Sequence, residues 1–428
     1  MISEIKQRIT QLNNGEVPNG YENTDFGIFP CDWVKDKTFG DLFDFYGGLG
    51  KSRDELGDEG HAYLHYGDLH RGAFNVVSHE QYEQLPKYDV VLKGTETYLM
   101  EDGDVAFLDA SEDLEGTSRS VLIDNPDNEP FIAGLHVIFG KSKNNSLEKW
   151  YKQYITATDS VRKQFQRLAS GFKVYGVTRE TLPKIQIAYP KSADEQSKIA
   201  EILMKWDEAI ELYDKLVSIL ITKRDAIVQK IVSANAEWKE YSLSDILQEK
   251  NEYSQKNNEH AVLSSTKQGI FYQSDYFDKQ VASENNIGYK IVCRGDIVLS
   301  PQNLWLGNIN YNDVFEIGIV SPSYKIFEIK SGYDKTLIST IMKQPSMFHQ
   351  YVLASEQGAS IVRRNLNMNL FYKIKIILPS IEKQNQLGKI IETINKHISL
   401  CKLQLENIKS QRKILQQYLL NGIVRVEV

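Results

Sequence analysis

The chain of 428 residues reads as an α+β fold that makes one plan twice: mixed module, long helix, mixed module, long helix. Three observations predict it. Two charged-apolar helical segments align without a gap, each carries a heptad seam, and matching strand, glycine and proline signals precede both. The first segment is DEQSKIAEILMKWDEAIELYDKLVSILITKRDAIVQKIV (Asp194 to Val232) and the second EKQNQLGKIIETINKHISLCKLQLENIKSQRKILQQYLL (Glu382 to Leu420). Gln384 follows Gln196 by 188 residues, and the same offset pairs Ile398 with Ile210, Arg412 with Arg224 and Gln417 with Gln229. Duplicating an element usually places two copies of something at a fixed separation.

Along the first segment Leu203, Trp206, Ile210, Tyr213, Val217, Leu220, Arg224, Ile227 and Ile231 alternate steps of three and four. Ile391, Ile394, Ile398, Cys401, Leu405, Ile408, Arg412, Leu415 and Leu419 do so along the second. That spacing keeps an apolar stripe facing a partner helix, as in a coiled coil. The arginine interrupts both seams at the same rung, where a polar residue commonly fixes register at some loss of stability. At about 1.5 Å per residue, roughly 39 residues reach about 58 Å. An ordinary amphipathic pair inside a globular core would also carry such seams. Two matching full-length seams this far apart favour mutual pairing as a rigid spacer.

The segments before the helices share a weaker pattern. Trp33 precedes FGDLF (Phe39 to Phe43), and Trp238 precedes LSDIL (Leu243 to Leu247). GDVAFL (Gly103 to Leu108) matches GDIVLS (Gly295 to Ser300), each a short strand after a turn glycine. Gly116 and Gly307 follow at similar distances, and AGLHVIF (Ala133 to Phe139) matches SPSYKIF (Ser321 to Phe327). Each segment closes on a strand and a proline, KIQIAYP (Lys184 to Pro190) and KIKIILP (Lys373 to Pro379), after which a helix begins. The expected boundaries are an N-terminal helical segment 1–20 packing near the C-terminal end, a first module 21–190 and a first long helix 191–234. A second module 235–380 and a second long helix with tail 381–428 follow. The NGEV of Asn14 to Val17 and the NGIV of Asn421 to Val424 hint that the end of the chain returns to its start.

A chain this long exceeds one compact core. No apolar run approaches a bilayer span, and MISEIKQRITQLNNG lacks a signal-peptide core. Cys31, Cys293 and Cys401 are isolated and odd in number, so a reducing, cytoplasmic setting is expected, without disulfides or a zinc knuckle. The net charge of −7 is unevenly spread. Glu22 to Glu129 is strongly acidic, whereas Lys141 to Lys184 and Lys325 to Lys375 are basic, each just before a long helix. Two basic faces on an acidic protein suit phosphate contact at two places, although solvated charge on amphipathic elements would look similar.

Catalytic motifs are not legible. GGLGKS (Gly47 to Ser52) resembles a phosphate-binding loop, but that loop needs glycine where Phe45 stands. His61, His65 and His70 with Asp68 match no standard metal spacing. Neither an adenine-methyltransferase segment nor a GxGxxG loop for a methyl donor is present, nor a nuclease or hydrolase constellation.

NGYENTDFGIFPCDW (Asn19 to Trp33) resembles the GY-x-x-T-x-x-G-x-x-P-x-x-W opening of the specificity (S) subunits of type I restriction-modification systems. YGGLGKSRDELGDEGHAYLHYGDL (Tyr46 to Leu69) and LSSTKQGIFYQSDYFDKQVAS (Leu263 to Ser283) are similar to openings of target recognition domains, and LLNGIVRV (Leu419 to Val426) to the family's ending. The family's Pro-Leu-Pro-x-x-x-x-Gln approach to a helix is close to ILPSIEKQ (Ile377 to Gln384), whereas AYPKSADEQ (Ala188 to Gln196) departs from it.

The resemblance implies two target recognition domains separated by two long antiparallel coiled-coil helices, an internal pseudo-two-fold repeat. Each domain would read one half of a bipartite asymmetric site in double-stranded DNA, and the helix pair would set the gap. Two modification (methyltransferase) subunits would dock on the chain, and restriction (helicase-nuclease) subunits would join them. S-adenosylmethionine, ATP and Mg would sit on those partners, with no cofactor, metal or catalytic residue in this chain and no membrane partner. The expected DNA contacts are Lys51, Arg53, Arg162, Lys163, Arg167 and Lys173 in the first module, and Gln302, Asn303, Lys343, Arg363 and Arg364 in the second. The alternatives are a protein-binding coiled-coil scaffold without sequence-specific DNA binding, or a self-sufficient DNA-modifying enzyme.

Overall fold

The computed structural model describes residues 2–71, 75–89, 96–111, 116–169, 175–232, 238–276, 285–357 and 364–426. Lys173 and Arg363 of the expected contacts lie outside them, as do the side chains of Ile231 and His70 and residues 277–283 of the second recognition-domain motif. The chain divides into two compact units, Met1–Leu212 with Leu405–Val428, and Tyr213–Gln404.

In the first unit α1 (Ile2–Asn13) leads through the hairpin Tyr21–Thr24 and Gly27–Pro30 to β1 (Val34–Thr38), α2 (Phe39–Leu42) and β2 (Phe43–Gly47). β3 (Val105–Leu108), β4 (Ser120–Ile123), β5 (Val137–Ser142), α3 (Asp159–Leu168) and β6 (Gln186–Tyr189) follow, before α4 (Ala193–Val232) begins. The main sheet runs β2-β5-β3-β4 in antiparallel register, with Phe139 opposite both Tyr46 and Ala106, and Val121 opposite Ala106. Val76–Val77 adds a parallel edge strand. A smaller sheet joins Phe131–Ala133 to His61–Leu64 and Lys87–Tyr88. Phe39, Phe43, Phe107 and Phe165 are fully buried, with ring centroids 6.0–6.5 Å apart in tilted and edge-on contacts that favour aromatic cores. Leu419 and Leu420, at the end of the last helix of the chain, pack into that same core with Ile199 and Leu203.

The second unit repeats the plan. β7 (Lys239–Ser242), α5 (Leu243–Ile246), β8 (Leu247–Lys250), β9 (Asp296–Leu299), β10 (Ile309–Tyr311) and β11 (Lys325–Ile329) build a sheet β8-β11-β9-β10, with β7 outside it. α6 (Lys335–Met342), α7 (Pro345–Leu353), the hairpin β12 (Ser355–Gln357) and β13 (Arg364–Leu366), and β14 (Lys375–Leu378) precede α8 (Ile381–Leu420). β14 pairs antiparallel with β7, as β6 pairs with β1.

Local devices recur with the strands. Asp41 accepts the Thr38 backbone N–H at 2.8 Å to open α2, and Asp245 accepts that of Ser242 at 2.8 Å to open α5. Gly103 and Gly295 take positive φ of 80° and 95°, which a β-carbon would resist. The aspartate after each closes the turn, Asp104 accepting Glu101 N–H and Asp296 accepting Cys293 N–H, both at 2.8 Å. Gln196 and Gln384 are buried at the start of the two long helices. Each donates to the carbonyl of the preceding proline, Pro190 at 2.8 Å and Pro379 at 2.9 Å, and accepts a module N–H, from Glu148 and Asp334.

α4 and α8 run antiparallel and pack together within each unit. In the second unit Val217, Ile394 and Ile398 are buried between them, flanked by Leu220, Ile221, Ile227 and Cys401. Of the remaining seam positions, Leu203, Ile391, Leu405 and Leu419 are buried, whereas Trp206, Ile210, Tyr213, Arg224, Ile408, Arg412 and Leu415 are half-buried. Near the helix ends burial moves one residue along, to Val228 beside Ile227 and to Gln416 beside Leu415. A straight α-helix drifts about 20° per heptad against a 3.5-residue repeat, which accounts for the step. Among the described residues no helix is long and apolar enough to cross a membrane.

Candidate nucleic-acid interface

In the first unit α3 begins at Thr158, whose hydroxyl accepts the Val161 N–H. Val161 and Phe165, four residues apart, are buried, which leaves Arg162, Lys163, Gln166 and Arg167 on the outer face. Arg162 and Lys163 line a groove of about 810 Å³ with Arg119, and with Lys409, Arg412 and Lys413 of α8. Asp159 and Asp207 are the carboxylates on it. Its floor is tied by Tyr154, which donates to Asp207 at 2.9 Å, and by Gln416 and Gln417, which donate to the Ala157 carbonyl at 3.1 and 3.0 Å. Burial and the neighbouring Asp207 carboxylate raise the Tyr154 hydroxyl pKa, so it stays a donor. Arg162 and Lys163 face no carboxylate within ion-pair distance among the described residues. Arg167 is exposed on the same helix without lining the groove.

Lys51 and Arg53 are differently placed. Lys51 pairs with Glu55 at 2.8 Å and lies 5.3 Å from the Tyr88 ring centroid, while Arg53 pairs with Asp68 at 2.5 Å. The Glu55 bond raises the Lys51 pKa, and its reciprocal holds Glu55 at about 2. Both cations are spent inside the module and would have to exchange a carboxylate for a phosphate.

In the second unit Gln302, Asn303 and Arg364 come together. The Gln302 carbonyl accepts the Arg364 N–H at 3.3 Å, and the Asn303 carbonyl accepts Leu306 and Asn308 N–H, closing the turn around Trp305. The Arg364 guanidinium lies over the Trp305 ring, 5.3 Å from its centroid, a cation–π arrangement. Lys343 is turned inward: its ammonium donates to the Gly307 carbonyl at 2.9 Å, and burial lowers its pKa to about 8. Sequence reasoning missed Arg119, Lys409, Lys413 and Trp305. Lys409 and Lys413 do carry a signal, being one turn apart and off the seam of α8. Among the described residues no group of three or more His, Cys, Asp or Glu could hold a metal ion.

Two modules of one plan, each bringing basic and amide side chains together, have the side-chain chemistry that DNA readers use. Residues 32–218 match the family model of the type I restriction modification DNA specificity domain. The chain is 20% identical over 366 residues to a protein described as the type I restriction enzyme MjaX specificity subunit of Methanocaldococcus jannaschii, spanning 81% of each. Its fold is that of the type I restriction-modification S subunit from M. genitalium, with a TM-score of 0.55, 15% identity and coverage of 95% of this chain and 98% of that one. A chain from a study of complex assembly and conformational transition of the type I R-M system superposes with a TM-score of 0.52 at 12% identity, over 96% and 100%. The family resemblance and the fold class read in the sequence are both borne out.

Proposed function

We propose that this chain is the non-catalytic DNA-specificity subunit of a type I restriction-modification complex. Each module reads one half of a bipartite asymmetric site through exposed Arg, Lys, Gln and Asn side chains, while cations hold the backbone. The α4–α8 pair fixes the unread gap, much as dimer geometry fixes half-site spacing in symmetric DNA readers. The same helices dock two modification subunits, which bring S-adenosylmethionine and adenine methylation. Restriction subunits using ATP and Mg complete the assembly in the cytoplasm.

The observation that carries this reading is the recurrence of one plan, a four-strand antiparallel order and a closing strand pair before a long helix, in both units of a chain whose residues 32–218 match the type I specificity domain. It is tested by deleting one heptad from α4 and one from α8, then mapping methylated adenines genome-wide in cells that supply the modification subunit. The expected outcome is a shorter gap between unchanged half-sites. A changed half-site with an unchanged gap would reject the ruler role of the helices.

A further inference from the structure

α8 does more in the first unit than fill a seam. Lys409 and Lys413 are exposed, one turn apart, and form a wall of the groove whose other wall carries Arg162 and Lys163 of α3. Six cations and two carboxylates line that groove. Asp207 is already neutralised by Arg412, and Asp159 lies in the first turn of α3. Lys409 has a surface partner in Glu406 at 3.4 Å, a kind of pair worth little in water and readily exchanged. Lys413 has no carboxylate within ion-pair distance among the described residues.

We propose that this groove cradles one strand of the DNA backbone, with Lys409 and Lys413 of the spacer helix gripping phosphates opposite Arg162 and Lys163. The proposal rests on the DNA-specificity reading and adds to it: the strut is itself part of the DNA interface. A volume of about 810 Å³ would also admit a small ligand, but such pockets are mainly apolar, and most of the residues lining this one carry charged, amide or hydroxyl groups. Lysines act as point charges that position a polyanion without reading sequence. Gln166 of α3, exposed on the groove, supplies an amide donor suited to phosphate and sugar oxygens. Charge on α8 therefore sets affinity while leaving the choice of bases untouched.

The test uses the full chain and a mixed-sequence duplex, titrated over a range of salt concentrations. Lys409→Gln with Lys413→Gln should weaken binding at least about tenfold at low salt. Loss of two contacts should also flatten the log–log salt slope by about 1.8. Arg162→Gln with Lys163→Gln should do the same. Both pairs are at the surface, and unchanged circular dichroism would confirm intact folding. If only the α3 pair flattens the slope, the DNA reading stands and the proposal falls. If the unmodified chain binds duplex without salt dependence, both fall. If the α8 pair spares duplex binding but loses the modification subunit, the groove is a protein-docking surface and the proposal is wrong.

Discussion

Arg412 and Asp207 form a two-pronged ion pair across α8 and α4, Nε to Oδ1 at 2.8 Å and a terminal nitrogen to Oδ2 at 3.0 Å. The 188-residue offset carries this pair onto Arg224 and Asn395, where one guanidinium nitrogen reaches Asn395 Oδ1 at 3.4 Å and Nε turns to Asp225 at 2.9 Å. One clasp is therefore built twice, a bidentate ion pair in the first unit and a single long bond from the cation to a neutral amide in the second. Charge-assisted forked pairs are roughly twice as strong as neutral hydrogen bonds.

Exchanging the two acceptors should exchange the strengths. Asp207→Asn should cost about 1–3 kcal/mol in the first unit, because Tyr154 and Arg412 both lose a charged acceptor. Asn395→Asp should add about 0.5–1 kcal/mol in the second. Hydrogen exchange along α8 reads both, faster at 405–420 for the first variant and slower at 390–404 for the second.

Gln196 and Gln384 lock the start of each long helix to its module. Gln196→Leu strands the carbonyls of Pro190 and Ser146 and the N–H of Glu148, whereas Gln384→Leu strands only the Pro379 carbonyl and the Asp334 N–H. Each orphaned buried group costs about 1–3 kcal/mol. Urea unfolding should show both variants destabilised and Gln196→Leu the more so.

Asp104 and Asp296 hold the same turn in different surroundings. Asp296 has Lys250 at 3.0 Å, while burial pushes Asp104 up to about 7 against weaker help from its N–H bond and from Lys141. A folded-state pKa raised above the unfolded value gives stability that is present in acid and lost as pH rises through the folded value. The native chain should therefore lose this contribution between about pH 4 and pH 7. Asp104→Asn, which keeps an acceptor for Glu101 N–H, should melt higher than the native chain at pH 8 by roughly 1–2 kcal/mol, with that advantage gone at pH 4. Equal differences at both pH values would contradict the assignment.

Arg364 lies over Trp305, and its guanidinium has no ion-pair partner among the described residues, an arrangement suited to a bidentate grip on one base. Arg364→Ala or Trp305→Ala should relax one position of the second half-site by about 1–3 kcal/mol and leave the first half-site unchanged. Methylome sequencing decides it, and altered first half-sites would mean that the modules are misassigned.

The duplicated plan was legible wherever it rested on chemistry visible along the chain. The Gly-Asp turns, the strand-proline closures and the buried glutamines each impose one residue type at one backbone conformation, so the motif survives in both copies. The candidate DNA surface was less legible. Lys51, Arg53 and Lys343 look like free cations in sequence, yet Glu55, Asp68 and the Gly307 carbonyl engage them through folding. Lys409 and Lys413 look like solvated coil positions, and only packing brings α3 beside them. A seam read at 3.5 residues per turn also misplaced burial by one residue where the straight helix drifts, at Val228 and Gln416.

The tail of the chain lies in the first unit. Tyr21 donates to the Gly422 carbonyl, Arg8 to that of Ile423, and Arg425 bridges Asp32 and Glu195. The second unit is continuous in sequence, from Tyr213 to Gln404, whereas the first needs residues from Leu405 onward. On the ribosome the later-made module can thus be sealed while the earlier one still waits for residues 405–428 to emerge. A stop codon just before residue 405 would cripple the half that was synthesised first.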